Sequence, residues 1–157
     1  MITTEDYCYF ADRALDGMAG IVAALGDGLS TQRPALPGAN SPYGLLTHCL
    51  GVVEAWAGQL VHGRRVERDR DGEFEATGPV APLLARTAAV RAQLALDVAA
   101  ADPGAPLRIA PPAAFEGPDR ELTQGAALMH VYEELAQHHG QMQQIRDLLV
   151  SGTEVRA

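Results

Sequence analysis

Residues 128–149 read Leu128-Met129-His130-Val131-Tyr132-Glu133-Glu134-Leu135-Ala136-Gln137-His138-His139-Gly140-Gln141-Met142-Gln143-Gln144-Ile145-Arg146-Asp147-Leu148-Leu149. Leu128, Val131, Leu135, Met142, Ile145 and Leu149 recur at spacings of three, four and seven residues. That period matches one face of an α-helix and no face of a strand. The pattern predicts a helix over about residues 120–150, with Gly152 just behind it.

The same reading extends outward to three more helices. One is predicted over about residues 4–25: Thr4 caps it, Glu5 and Asp6 suit its first turn, and Tyr7, Phe10, Ala14, Ile21 and Leu25 form its stripe. Gly26-Asp27-Gly28 stops it. A second begins at Ser41-Pro42, with serine as cap and proline at the first helical position, and ends near His62 before Gly63. Its stripe is Leu45, Cys49, Val52, Trp56 and Leu60. A third spans about residues 80–101, with Leu83, Leu84, Ala88, Leu94 and Val98 inward and Asp102-Pro103-Gly104 as its stop. No segment carries a strand pattern. The expected fold is therefore all-α, an antiparallel four-helix bundle forming a single domain over residues 1–157.

The connections differ in character. Residues 27–40 form a loop containing Pro34 and Pro37. Residues 64–78 hold Arg64, Arg65, Glu67, Arg68, Asp69, Arg70, Asp71 and Glu73, and read as a solvated connection of mixed charge. Pro103, Pro106, Pro111, Pro112 and Pro118 exclude helix between them and send that stretch across the outside of the domain. A loop of that length is often functional.

Composition narrows the function classes. The 157 residues are 47% hydrophobic and 20% charged, a globular balance, and only 5% aromatic. The formal charge of −8, without a basic stripe, argues against nucleic acid as a partner. No apolar run approaches a membrane span, and the start Met1-Ile2-Thr3-Thr4-Glu5-Asp6 lacks the features of a signal peptide, so a cytoplasmic location is expected. Cys8 and Cys49 make no disulfide framework and read as buried structural thiols.

Of the five histidines, three fall on the last helix. His130, Glu134 and His138 are spaced four apart and share one face, separated by roughly 6 Å of rise each. Ligands one turn apart can reach one cation. His138 shares its side of the helix with Leu135, Met142 and Ile145, and His48 lies between Leu45 and Val52 on the second helix. Both rings should face inward, where they need partners. His48, Glu134 and His138 are thus candidate ligands of a divalent metal, weighed against core histidines bonded to carbonyls. Two imidazoles and a carboxylate suit zinc, with nickel, iron or manganese as alternatives. Three protein ligands leave a position open for water or substrate.

Two stretches carry a family resemblance. Leu45-Leu46-Thr47-His48-Cys49-Leu50-Gly51-Val52-Val53-Glu54-Ala55-Trp56 resembles the second helix of the DinB-like superfamily, where a histidine near the helix start is the first metal ligand. His130-Val131-Tyr132-Glu133-Glu134-Leu135-Ala136-Gln137-His138-His139-Gly140-Gln141 resembles its last ligand helix. Many members have histidine where this chain has Glu134. A glutamate there is similar to the mycothiol-dependent maleylpyruvate isomerase N-terminal domain and to mycothiol transferase-like proteins. The isomerases carry a second, C-terminal domain, for which these 157 residues leave no room. The resemblance therefore implies the metal-holding bundle and thiol chemistry ahead of that particular isomerisation.

What the resemblance implies is a zinc-dependent thiol S-transferase or isomerase. It would use a small-molecule thiol such as mycothiol on a small electrophile and work as a homodimer. The thiolate, stabilised by the cation, is the nucleophile. The alternative is a stress-associated, metal-binding DinB-like protein without turnover. The pocket is expected between the second and last helices, walled by the first helix and the proline-rich stretch. His130 is either a fourth ligand or proton shuttle, or a structural histidine one turn above the site. His139 reads as surface or subunit contact, His62 as a partner of a helix dipole, Glu133 as solvent-facing or ion-paired, and Trp56 as core. Arg146 reads as a salt-bridge residue ahead of a substrate anchor.

Overall fold

The structure is a computed structural model that describes residues 2–112 and 120–154. Helix α1 spans Thr4–Leu29, α2 Pro42–Val53, α3 Arg70–Glu75, α4 Val80–Ala100 and α5 Gln124–Glu154. A π-helical segment, Glu54–Val61, continues α2. Among the described residues there is no strand, only an isolated bridge between Pro106 and Thr123. Pro118 and its neighbours at 113–119 lie outside the described residues.

Helix ends follow capping chemistry more closely than the sequence reading did. Thr3, not Thr4, caps α1: its hydroxyl accepts from the Asp6 N–H at 3.0 Å, and the Asp6 carboxylate accepts in return from the Thr3 N–H at 3.3 Å. The helix does break at Gly26, but another turn carries it to Leu29. Ser41 caps α2 as expected, accepting from Gly44 N–H at 3.0 Å, with Pro42 in the first turn. Helix α5 starts at Gln124 rather than near Arg120, because residues 103–106 pair with 123–125 first: Gln124 N–H donates to Ala105 O and Gly125 N–H to Pro103 O.

The expected four-helix bundle forms, and its helix directions are specific. Asp27 meets Val80 while Asp12 and Asp16 meet Arg91, so α1 and α4 are antiparallel. His48 meets Glu134 and Trp56 meets His130, so α2 and α5 are antiparallel. Tyr7 meets Leu128 and Phe10 meets Tyr132, so α1 and α5 run the same way. Glu54 meets Arg86 and His62 meets Asp97, so α2 and α4 do too. Residues 63–79 make that last pairing possible by climbing back along α2 before α4 descends.

All four long helices feed one core, in which Leu15, Met18, Leu45, Leu46, Leu50, Leu60, Leu94, Leu135 and Met142 are fully buried. Cys49 is buried within it and Cys8 is half-buried, both as free thiols. No helix among the described residues is long and apolar enough to cross a membrane.

Helix α3 is the largest departure from expectation. The charged segment is not merely a solvated connection. The Arg68 and Glu73 side chains are each only 9% exposed, and their ion pair packs against α2. Two glycines of α2 admit it. At Gly44 a Cβ would come within 2.6 Å of the Phe74 carbonyl oxygen, and at Gly51 it would collide with the Glu73 carboxylate. These positions are two turns apart on one face, so α2 presents a groove there, and only a residue without a side chain leaves it open.

Candidate metal centre

The helix period puts Glu134 and His138 one turn apart on α5, and the antiparallel packing of α2 sets His48 opposite them. The three side chains converge. His48 Nε2 lies 3.4 Å and His138 Nε2 3.5 Å from the same atom, Glu134 Oε2. One donor atom from each residue falls within 4.8 Å of the other two. The His48 ring is buried, while Glu134 and His138 keep a fifth of their side-chain surface open to solvent.

Second partners fix which nitrogen faces the centre. His48 Nδ1 lies 3.0 Å from Glu73 Oε2, and His138 Nδ1 lies 2.9 Å from Gln141 Oε1. An ionised carboxylate accepts only, so His48 must donate from Nδ1; the Gln141 amide oxygen takes the equivalent proton from His138. Each neutral ring then turns an Nε2 lone pair toward Glu134 Oε2, itself a lone-pair donor. Three such atoms need positive charge between or upon them. Either the imidazoles are protonated or a cation is held.

The spacing suits a cation. Donor atoms placed 2.0–2.2 Å from a tetrahedral ion stand about 3.4 Å apart. The observed 3.4 and 3.5 Å separations match that value and exceed a short charge-assisted hydrogen bond. With no ion bound, protons on the Nε2 atoms supply that positive charge instead. The His138 and His48 hydrogen bonds, against the cost of burial, hold the Glu134 carboxyl far below the usual carboxylate range. Burial lowers the pKa of His48, yet its bonds to Glu134 and Glu73 outweigh that and raise it. The pocket favours cations.

A small recess opens beside these residues, lined by His48, Val52, Trp56, Arg68, Arg70, His130 and Glu134, with about 40 Å³ for a ligand. Its walls correct the expected ones: residues 68 and 70 form the side that α1 and the proline-rich stretch were expected to form, and none of the described lining comes from those two. His130 is buried, packs on the Trp56 indole at 4.3 Å between ring centres, and holds Glu133 Oε2 at 3.1 Å from its Nδ1. Its Nε2 is 3.9 Å from Glu134 Oε1 and outside the three-atom cluster. Trp56 is buried, as expected, but also lines the recess.

The comparisons with known proteins bear on this geometry. A family model described as mycothiol S-transferase matches residues 10–150. The chain belongs to this family. That family sits within the DinB-like fold the sequence resembles, and it implies a thiol substrate for this mycothiol S-transferase family member. A solved structure of a conserved protein from Enterococcus faecalis shares the fold, with a TM-score of 0.71 at 15% identity, covering 96% of this chain and 99% of that one. No curated protein matches significantly.

The remaining expectations separate. Glu133 is solvent-facing and hydrogen-bonded to His130, and Arg146 pairs with Asp147 at 2.8 Å. His62 Nε2 donates to the Asp97 carbonyl at 2.9 Å, away from the centre. His139 is partly exposed and lies over Gly17 of α1. Sequence reasoning missed Glu73 and Arg68. Their signal was Phe74, the one aromatic residue in the charge run, which meets Gly44 on α2 while Glu73 meets Gly51.

Proposed function

We propose that this protein is a metal-dependent S-transferase in which His48 Nε2, Glu134 Oε2 and His138 Nε2 hold a divalent cation, zinc by the chemistry of the donors. One observation carries the reading: three donor atoms converge within 4.8 Å, both imidazole nitrogens standing 3.4 and 3.5 Å from Glu134 Oε2, with both Nδ1 atoms already engaged. Membership of the mycothiol S-transferase family supports a low-molecular-weight thiol, mycothiol first among them, as cosubstrate.

A cation bound there supplies a Lewis acid that favours the thiolate form of a thiol at neutral pH. The protein's own groups do the rest. His130 donates its Nδ1–H to Glu133, which leaves Nε2 facing the recess as an acceptor for the thiol proton. Arg68 and Arg70 line the same recess and oppose negative charge that develops there. With a halide-like electrophile, a sulfur–carbon bond forms as the carbon–halogen bond breaks, and the thiol proton leaves with the halide. With an activated alkene, that proton goes to carbon instead. The recess has space for the reacting sulfur, so the rest of the thiol must lie along the open side, over Glu134 and His138.

The same reading pairs two chains, and the exposed aromatics Tyr9 and Phe10, in contact with each other and Phe10 also with Tyr132, support an apolar contact face. Sedimentation velocity gives a dimer mass or removes that part.

The test is turnover. Zinc-loaded protein incubated with mycothiol and a fluorogenic alkylating electrophile is expected to form the thioether faster than the thiol alone. Chelation and His138→Ala should each abolish the gain. The narrow recess is what favours a second reading, metal binding without turnover. Stoichiometric zinc with no acceleration for any thiol tried would support that second reading and sink the first.

A further inference from the structure

We propose that Glu73, clamped by Arg68, is a positioning residue that sets the tautomer and donor strength of His48 toward a bound cation. The inference rests on the metal reading above and extends it to a segment that contributes no ligand.

The arrangement is a relay of three fixed groups. Arg68 donates from Nε to Glu73 Oε1 at 2.8 Å and from a terminal nitrogen to Oε2 at 2.9 Å, a two-pronged grip on the carboxylate. Glu73 Oε2 in turn accepts from His48 Nδ1 at 3.0 Å. Phe74 lies over the imidazole at 4.3 Å between ring centres, 25° from parallel, and covers one face of the ring. The carboxylate can only accept, so Nε2 is the atom left to coordinate. Negative charge behind Nδ1 also makes Nε2 a better electron-pair donor.

Packing alone does not require a charged pair here. A buried glutamate and arginine are costly to desolvate, and an apolar pair of the same volume would fill the space as well. The protein instead leaves Gly51 without a side chain at the point where the carboxylate presses on α2. Three donors, two from Arg68 and one from His48, converge on the Glu73 carboxylate, the hydrogen-bond set of an ionised acid.

Two variants probe the relay by different routes. Glu73→Gln keeps the volume and removes the charge. Gly51→Ala leaves Glu73 in the sequence but displaces its carboxylate, while its own helix propensity favours folding. Zinc affinity is measured by competition with a chromophoric chelator, and the visible spectrum of the cobalt-loaded protein reports the ligand field. Far-ultraviolet circular dichroism checks that the helices persist. The expected result is affinity about 10–100-fold below wild type in both variants, with an altered cobalt spectrum. Wild-type affinity and spectrum in the variants would overturn the role of Glu73 and leave the three ligands standing. A wild-type protein that binds neither metal would overturn the metal reading itself, and this inference with it.

Discussion

His48 Nε2 on α2 lies 3.4 Å from Glu134 Oε2 on α5, the contact that ties the two ligand helices together across the bundle. The residues are 86 positions apart in sequence. Their meeting depends on α2 and α5 running antiparallel and on core packing that fixes their height. Thiol chemistry, on this account, is built on two core-packed helices, with only the recess wall at residues 68 and 70 coming from the segment between α2 and α4.

Core packing is separable from the centre, and Tyr7 shows how. Its hydroxyl donates to the Leu128 carbonyl at 2.6 Å, linking the first turns of α1 and α5. Tyr7→Phe should cost about 1 kcal/mol in urea denaturation and leave metal content unchanged. Burial, then the nearby Cys8 thiol, pushes the Tyr7 pKa well above the ordinary tyrosine value. The folded state thus holds the proton more tightly than the unfolded one. Stability from this group is full below about pH 10 and falls above it. Wild type should therefore lose stability more steeply than Tyr7→Phe between about pH 10 and 12. Parallel alkaline curves would contradict this.

Asp97 is buried on α4 and is held by Arg64 at 2.6 and 2.5 Å and by Gln93 at 2.9 Å. Arg64→Met removes the counter-charge and keeps the stem. The loss should be about 2–3 kcal/mol, at or below the lower end of the range for fully buried pairs because Arg64 is partly exposed. Arg64→Met combined with Asp97→Leu should recover most of it. If both variants matched wild type in chemical denaturation, the pair would be no more than a surface contact.

Thiol accessibility offers a simple check on the packing. Cys49 is fully buried and Cys8 half-buried, with burial and then Asp12 raising the Cys8 pKa. A disulfide-exchange reagent should titrate a single thiol slowly in the native protein and both after unfolding. Rapid reaction of both thiols without denaturant would mean that α2 does not pack as described.

Much of this was legible beforehand because it depends on periodicity. The stripe through Leu128, Val131, Leu135, Met142, Ile145 and Leu149 placed α5, and every one of those side chains is buried. Spacing alone left His48, Glu134 and His138 as one possibility beside core histidines. The family resemblance of the two ligand helices selected them, the glutamate at 134 pointed to the thiol-using branch, and the structure brings their donor atoms together. The role of residues 64–78 was not legible. Charge density reads as solvation, since a charged side chain is rarely buried without a partner. The partner here is across the fold, where His48, Gly44 and Gly51 of α2 receive Glu73 and Phe74. Helix directions were hidden for a similar reason: nothing local states that residues 63–79 climb back along α2.

The most direct measurement is the metal content of the protein after zinc loading and exhaustive dialysis, compared with His48→Ala, Glu134→Ala and His138→Ala. The account predicts one tightly held ion per chain in wild type and loss of it in each variant, with helical content kept. No retained zinc in wild type, or undiminished zinc in the variants, would contradict it.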